Sequence, residues 1–116
     1  MTVTIYHNPR CSKSRDTLAL LQARGITPQV VAYLEQVPTP DEIRSLLGLL
    51  GLADARALLR KGEAEYTELG LDAPGLSQEA LIVAMAAHPR LIERPIVLHG
   101  DKAVIGRPPE KVLTIL

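Results

Sequence analysis

The segment VTIYHNPRCSKSR, residues 3–15, contains the change of pattern that decides the fold. Its first half is short and rich in β-branched residues, which is typical of a strand, and Asn8-Pro9 ends that strand as a turn. From Ser12 onward, apolar and hydroxyl side chains recur at helical spacing until Gly25, so a helix is predicted there. TPQVVAY at 27–33 predicts a second strand. This order indicates a βαβ unit with two parallel strands.

The middle of the chain is predicted to be helical. TPDE at 39–42 combines a capping box with a proline at the first helical position, and the helix that follows is expected to end at Gly51. Residues 53–70 predict one or two short helical turns. Ser77 begins another helix, which ends at His88-Pro89.

The last third returns to strands. Residues 95–98 and 103–105 predict two strands joined by a tight turn at 99–101, which is a hairpin. Prolines within 106–109 interrupt the pattern, and a helix is predicted over 110–116.

The order βαβ, helices, ββα predicts an α/β protein with a thioredoxin-like fold. It would have a four-stranded mixed sheet and an inserted helical subdomain at about 38–90. A chain of 116 residues and 12.6 kDa is expected to form a single domain, residues 1–116. Arg94-Pro95 precedes the third strand, where thioredoxin-like proteins carry a cis-proline.

Composition excludes several classes of protein. Hydrophobic residues make up 47% of the chain, which is enough for a packed core and argues against disorder. Thirteen basic and thirteen acidic residues cancel, which argues against a nucleic-acid binder. The N-terminal MTVTIYHN does not have the pattern of a signal peptide, and no apolar run is long enough to span a membrane. A cytoplasmic protein without membrane or nucleic-acid partners is therefore expected.

Cys11 is the only cysteine, and it lies where the first helix begins. Backbone N–H groups and the helix dipole stabilise a thiolate at such a position. The neighbouring residues add positive charge and hydrogen-bond donors: Arg10, Lys13 and Arg15, with Ser12 and Ser14. The structural alternative is a buried, inert cysteine, which these polar neighbours disfavour.

Four separated motifs are similar to one known family. YHNPRCSKSR at 6–15, RALLRK at 56–61, RPIV at 94–97 and GRPPE at 106–110 together resemble the short form of the glutaredoxin-dependent arsenate reductases of the ArsC type. This resemblance implies that Cys11 is the nucleophile, with an oxyanion site lined by Arg60, Arg94 and Arg107. It also implies arsenate or a similar oxyanion as substrate, glutathione as co-substrate, glutaredoxin as partner, and no bound cofactor.

The single thiol also constrains the mechanism, because it cannot form an internal disulfide and the reduction of arsenate needs two electrons. The other thiols would have to come from outside the chain. Two alternatives stay open: a glutathione-linked thiol oxidoreductase with another substrate, and a regulatory binding module like the Spx proteins. Ser14 stands where the second cysteine of a Cys-x-x-Cys switch would fall, which counts against the second alternative.

The three histidines are scattered and show no metal-site spacing, so no metal is expected. His7 either forms a hydrogen bond near the thiolate and lowers its pKa, or simply ends the first strand. His88 is expected to end a helix, and His99 to be solvated in the hairpin turn.

Overall fold

Residues 2–116 of the computed structural model alternate strands and helices in the predicted order. The four strands are β1 (Val3–His7), β2 (Gln29–Ala32), β3 (Ile96–His99) and β4 (Lys102–Ile105). The α-helices are α1 (Ser12–Ala23), α2 (Pro40–Leu50), α3 (Ala64–Glu68) and α4 (Gln78–Ala87). Three 3₁₀ helices cover Ala55–Leu58, Pro89–Leu91 and Pro109–Ile115.

The chain divides into two compact units. The first, here called the sheet unit, holds the N-terminal segment up to Gln36 together with Arg94–Leu116. The second, the helical unit, is Val37–Glu93. The interpretation of residues 1–116 as one domain with an insertion stays a prediction. None of the helices formed by residues 2–116 has the length and apolar character that a membrane span requires.

In the sheet unit the strands lie in the order β2-β1-β3-β4. β1 is parallel to β2 and antiparallel to β3, and β3 pairs with β4 as an antiparallel hairpin. A parallel βαβ pair joined to an antiparallel hairpin is the predicted four-stranded mixed sheet, so the α/β class and the thioredoxin-like fold are confirmed. The Arg94-Pro95 peptide bond before β3 is cis, as that fold implies.

The core of the sheet unit is aliphatic, and one face of β1 points into it. Val3, Ile5 and His7 are buried while the residues between them are half-buried, because side chains alternate across a strand. Val3 and Ile5 pack in one buried cluster with Leu21 of α1 and with Val97 and Val112. His7 therefore lies in line with the core residues of β1, at the end of the strand that leads into the Cys11 loop.

The helical unit follows its local sequence signals closely. Thr39 and Glu42 form the predicted capping box, and α2 ends at Gly51, whose φ of 69° is readily adopted only by glycine. The Ser77 side chain accepts a hydrogen bond from the backbone N–H of Ala80 at 3.1 Å and begins α4. His88 is the C-cap of α4, as predicted.

Several predicted boundaries differ from the structure, among them that of β4, which begins at Lys102 rather than at 103. The second strand is shorter than 27–33, because Pro28 has no N–H to donate and a turn closes after Ala32, whose carbonyl accepts from Glu35 N–H at 2.9 Å. The last helix is 3₁₀ and begins at Pro109 rather than at 110. The prediction for His99 is wrong: it is the last residue of β3, half-buried, and its ring bonds to the Ile115 carbonyl.

Gly106 packs so closely against its neighbours that a larger residue does not fit. A Cβ at this position would lie 2.8 Å from Thr17 Oγ1 and 2.9 Å from Pro95 Cγ. We therefore expect Gly106→Ala to lower the free energy of unfolding by about 1–3 kcal/mol through overpacking, measured by urea denaturation. Gly48→Ala is the matched control: it has open space inside α2, so it should raise that free energy by about 0.5–1 kcal/mol. Equal stability of Gly106→Ala and wild type would contradict the packing.

Candidate active site

Cys11 is the N-cap residue of α1 and has extended backbone, with φ −92° and ψ 123°. Its N–H donates to the Asn8 carbonyl at 3.0 Å, and its own carbonyl accepts from the Arg15 N–H at 3.0 Å. The Cys11 side chain forms no capping hydrogen bond and its thiol is free. The loop therefore presents a half-buried sulfur at the positive end of the helix.

The surroundings of the thiol favour its ionised form. Burial raises the pKa of Cys11, but the backbone N–H of Ser14, the hydrogen-bonding guanidinium of Arg94 and the backbone N–H of Lys13 act in the opposite direction. The positive charge of Arg94 adds to them, and the net result is a pKa below the ordinary value for cysteine. A lowered pKa increases the fraction of thiolate, which is the reactive form of a cysteine.

Arg107 connects the thiol to the loop before β3. Its Nη2 lies 3.5 Å from Cys11 Sγ, and its Nε donates to the backbone carbonyl of Arg94 at 2.8 Å. The second bond fixes the plane of the guanidinium. Two of the three predicted arginines, Arg94 and Arg107, therefore meet Cys11 within the sheet unit.

Arg60, the third predicted arginine, belongs to the helical unit. Its backbone N–H donates to the Leu91 carbonyl at 2.7 Å, which holds the segment after the 3₁₀ helix Ala55–Leu58. Its guanidinium faces two carboxylates, with Nε 3.3 Å from Glu63 and Nη1 3.9 Å from Glu93. The side chain is thus held by carboxylates of its own unit.

A buried hydrogen-bond network connects the end of β1 to the first turn of α1, on either side of Cys11. His7 Nδ1 lies 2.7 Å from Ser14 Oγ, and the Asn8 N–H donates to the same oxygen at 3.0 Å. Burial and, to a smaller extent, the charge of Arg15 lower the pKa of His7, so its ring is neutral near pH 7. Because a neutral ring adds no positive charge, His7 acts on the loop through the Ser14 hydroxyl rather than as a cation beside the sulfur.

Comparison with known proteins shows the family of this chain. Residues 6–115 match the ArsC family. The chain belongs to that family. It is 52% identical to an arsenate reductase of Haemophilus influenzae over 100% of both chains. It is also 55% identical to the uncharacterized protein YfgD of Escherichia coli (strain K12), over 98% of this chain and 96% of that relative. A solved arsenate reductase from Vibrio cholerae superimposes with a TM-score of 0.98 at 56% identity, covering 100% of this chain and 98% of that one.

Some residues that shape this ArsC-family site do not stand out in the sequence. Asn8 accepts from the Arg10 N–H through its side chain at 3.0 Å and from Cys11 through its backbone, so it forms the loop as well as ending the strand. The Asn-Pro turn was the only signal for it. Thr17 is fully buried against Gly106 and bonds to the Lys13 carbonyl at 2.8 Å, and nothing local distinguishes it from a core residue.

We expect the pKa of the Cys11 thiol to be lower in the folded protein than in the unfolded chain. Because the folded pKa is lowered, the thiolate fraction at pH 7 should be higher in the folded protein than in the urea-unfolded one. The rate of alkylation by iodoacetamide against pH measures this directly, since the chain has a single cysteine. A folded midpoint at or above the unfolded one would contradict the described environment.

Proposed function

We propose that this ArsC-family protein reduces arsenate to arsenite, with Cys11 as the nucleophile and with glutathione and glutaredoxin as sources of the other thiols. The observation that carries the proposal is the convergence of Arg94 and Arg107 on a thiol whose pKa is lowered at a helix N-terminus. The relatives named arsenate reductase, similar over the full length, support arsenate as the oxyanion.

Arg94, Arg107 and Arg60 are proposed to bind the oxyanion. A guanidinium presents several N–H donors in one plane, which suits the paired oxygens of a tetrahedral anion better than an ammonium does. Arg94 and Arg107 lie beside the sulfur, so an anion that they hold would stand next to the attacking atom. The assignment of Arg60 rests on its place in the RALLRK motif.

The chemistry balances with two thiols. The Cys11 thiolate attacks arsenic, a sulfur–arsenic bond forms, and one oxygen leaves as water after protonation. Glutathione thiolate then attacks Cys11 Sγ, and the sulfur–arsenic bond breaks with its electron pair passing to arsenic. Arsenite is released, and Cys11 and glutathione remain joined as a mixed disulfide.

Glutaredoxin and a further glutathione would then restore the Cys11 thiol, because the chain has no second cysteine to do so. The scheme needs no bound cofactor, since the two thiols supply both electrons. It also suits the cytoplasm, where a reducing environment keeps a single thiol free.

Arsenate-dependent NADPH oxidation, coupled through glutathione reductase, glutathione and glutaredoxin, tests the proposal. The expected result is NADPH oxidation that requires arsenate, glutathione, glutaredoxin and the protein. Phosphate in place of arsenate should give no such oxidation. A protein that reduces mixed disulfides at the same rate with and without arsenate would instead be a thiol oxidoreductase of the alternative kind. No arsenate-dependent rate at all would overturn the proposal.

A further inference from the structure

Two carboxylates border the guanidinium of Arg60 in the helical unit. Arg60 Nε donates to Glu63 Oε1 at 3.3 Å, and Arg60 Nη1 lies 3.9 Å from Glu93 Oε1. The other oxygen of Glu63 lies 3.3 Å from Arg90 Nη2. Glu63 therefore bridges two arginines, and the single positive charge of Arg60 faces two negative ones.

The backbone holds these charged side chains together. The Arg60 N–H donates to the Leu91 carbonyl at 2.7 Å. The Glu93 N–H donates to the Leu58 carbonyl at 2.8 Å, and an isolated antiparallel bridge lies between these two hydrogen bonds. The Glu63 N–H donates to the Arg60 carbonyl at 3.2 Å. Because Leu58 and Leu91 are fully buried, the charged side chains project from a fixed backbone.

The cluster is largely shielded from solvent, which strengthens its electrostatic effects. The side chains of Arg60, Glu63 and Glu93 are 24%, 15% and 22% exposed. In the surface ion pair of Arg44 with Asp41, the two side chains are 42% and 92% exposed. Charges away from bulk water interact more strongly and are less screened by salt. The carboxylates beside Arg60 therefore reduce its attraction for an anion more than surface carboxylates would.

Arg60 nevertheless keeps hydrogen-bond donors for a ligand. Of its three guanidinium nitrogens, Nε and Nη1 face the carboxylates, whereas Nη2 has no hydrogen bond or ion pair within residues 2–116. A guanidinium carries five N–H donors, so one bond at Nε and a longer contact at Nη1 leave most of them available. The cluster thus combines N–H donors with a positive charge that is already compensated.

We propose that Glu63 and Glu93 determine specificity in the oxyanion site by compensating the charge of Arg60. The inference rests on the proposed function for the place of Arg60 in that site. Arg60 contributes hydrogen-bond donors, while the two carboxylates repel the bound anion in proportion to its charge. They therefore shift the preference of the site towards oxyanions with one negative charge and away from those with two.

Glu63→Gln and Glu93→Gln remove the charge but keep the shape of the side chain and an acceptor oxygen. Sulfate is a tetrahedral probe with two negative charges, and methanesulfonate is a tetrahedral probe with one. In an NMR titration without thiols, followed at the Arg60 Nε–Hε signal, each variant should bind sulfate about 3- to 10-fold more tightly than wild type. Methanesulfonate should bind about 2- to 3-fold more tightly, because the repulsion that is removed scales with the charge of the anion.

Glu68→Gln is the matched control. Glu68 is an exposed glutamate of α3 that takes no part in the ion pairs found within residues 2–116, so its variant should keep both affinities of wild type. Impaired folding would weaken binding, so a gain in affinity cannot come from a structural defect. In the coupled assay, Glu63→Gln should lower the KM for arsenate by about 3- to 10-fold and leave kcat unchanged, because the substrate and its transition state gain equally.

The binding and kinetic results separate this inference from the proposed function. Sulfate affinity that is unchanged or weaker in either variant, equal gains for the two probes, or no sulfate shift at Arg60 would overturn the inference even if arsenate is reduced. Larger gains for sulfate than for methanesulfonate, in a protein that does not reduce arsenate, would support the inference and count against the proposed substrate alone.

Discussion

Replacement of Cys11 by serine should abolish arsenate reduction in the coupled assay, with a rate lower than wild type by about 10³-fold or more. In the proposed mechanism the sulfur both attacks arsenic and gives up electrons when the mixed disulfide forms. A serine hydroxyl is far less acidic than this thiol and has no equivalent redox chemistry. Arsenate-dependent NADPH oxidation by Cys11→Ser, with all coupling components in excess, measures the effect.

The same variant is well suited to separate chemistry from folding. Serine is a preferred N-cap residue, because its oxygen accepts a hydrogen bond from the first turn, whereas the thiol of Cys11 forms no capping bond. Cys11→Ser should therefore unfold at the same or a higher urea concentration than wild type. An arsenate-dependent rate equal to that of wild type would show that Cys11 is not the nucleophile. If Cys11→Ser loses both the rate and stability, the same assay on Cys11→Ala separates the two effects.

The sequence was sufficient for the features that depend on local signals. The capping box at Thr39 and Glu42 and the strand-to-helix change around Cys11 depend on residues within one turn of each other. The four-stranded sheet followed from the order of these elements, because short connections permit few topologies. The position of Cys11 at a helix N-terminus was predictable for the same reason.

Contacts between distant segments were not predictable in this way. Arg107 and Cys11 are 96 residues apart, and only the family resemblance connected them. Gly106 fits against Thr17 because two loops, those of Pro95 and Gly106, approach α1 closely. No local sequence pattern indicates such an approach. The prediction put His99 in the turn, but the turn needs only Gly100 and Asp101. Gly100 has a φ of 64°, and β3 therefore continues to His99, which pairs with Lys102.

Arg107→Lys should lower kcat/KM for arsenate by about 10²–10³-fold, although the positive charge is kept. The guanidinium makes two contacts in different directions, one to Cys11 Sγ and one to the Arg94 carbonyl. A lysine has a single nitrogen on a flexible chain and cannot hold both contacts in one plane. The coupled NADPH assay at several arsenate concentrations measures the change in kcat/KM.

Arg15→Lys is the matched control for this prediction. Arg15 belongs to the same loop region, and its guanidinium also donates to a backbone carbonyl, that of Pro9 at 2.9 Å, but it makes no contact with the sulfur. If the effect of Arg107→Lys comes from the contact with the thiol, Arg15→Lys should change kcat/KM by less than about 3-fold, because the substitution keeps the charge at an exposed position. Equal losses in the two variants would mean that the loop needs both arginines for its conformation. A loss confined to Arg107→Lys, at unchanged urea stability, would place this guanidinium in the reaction, because Arg107 lies beside the thiol whereas the guanidinium of Arg15 bonds to the Pro9 carbonyl.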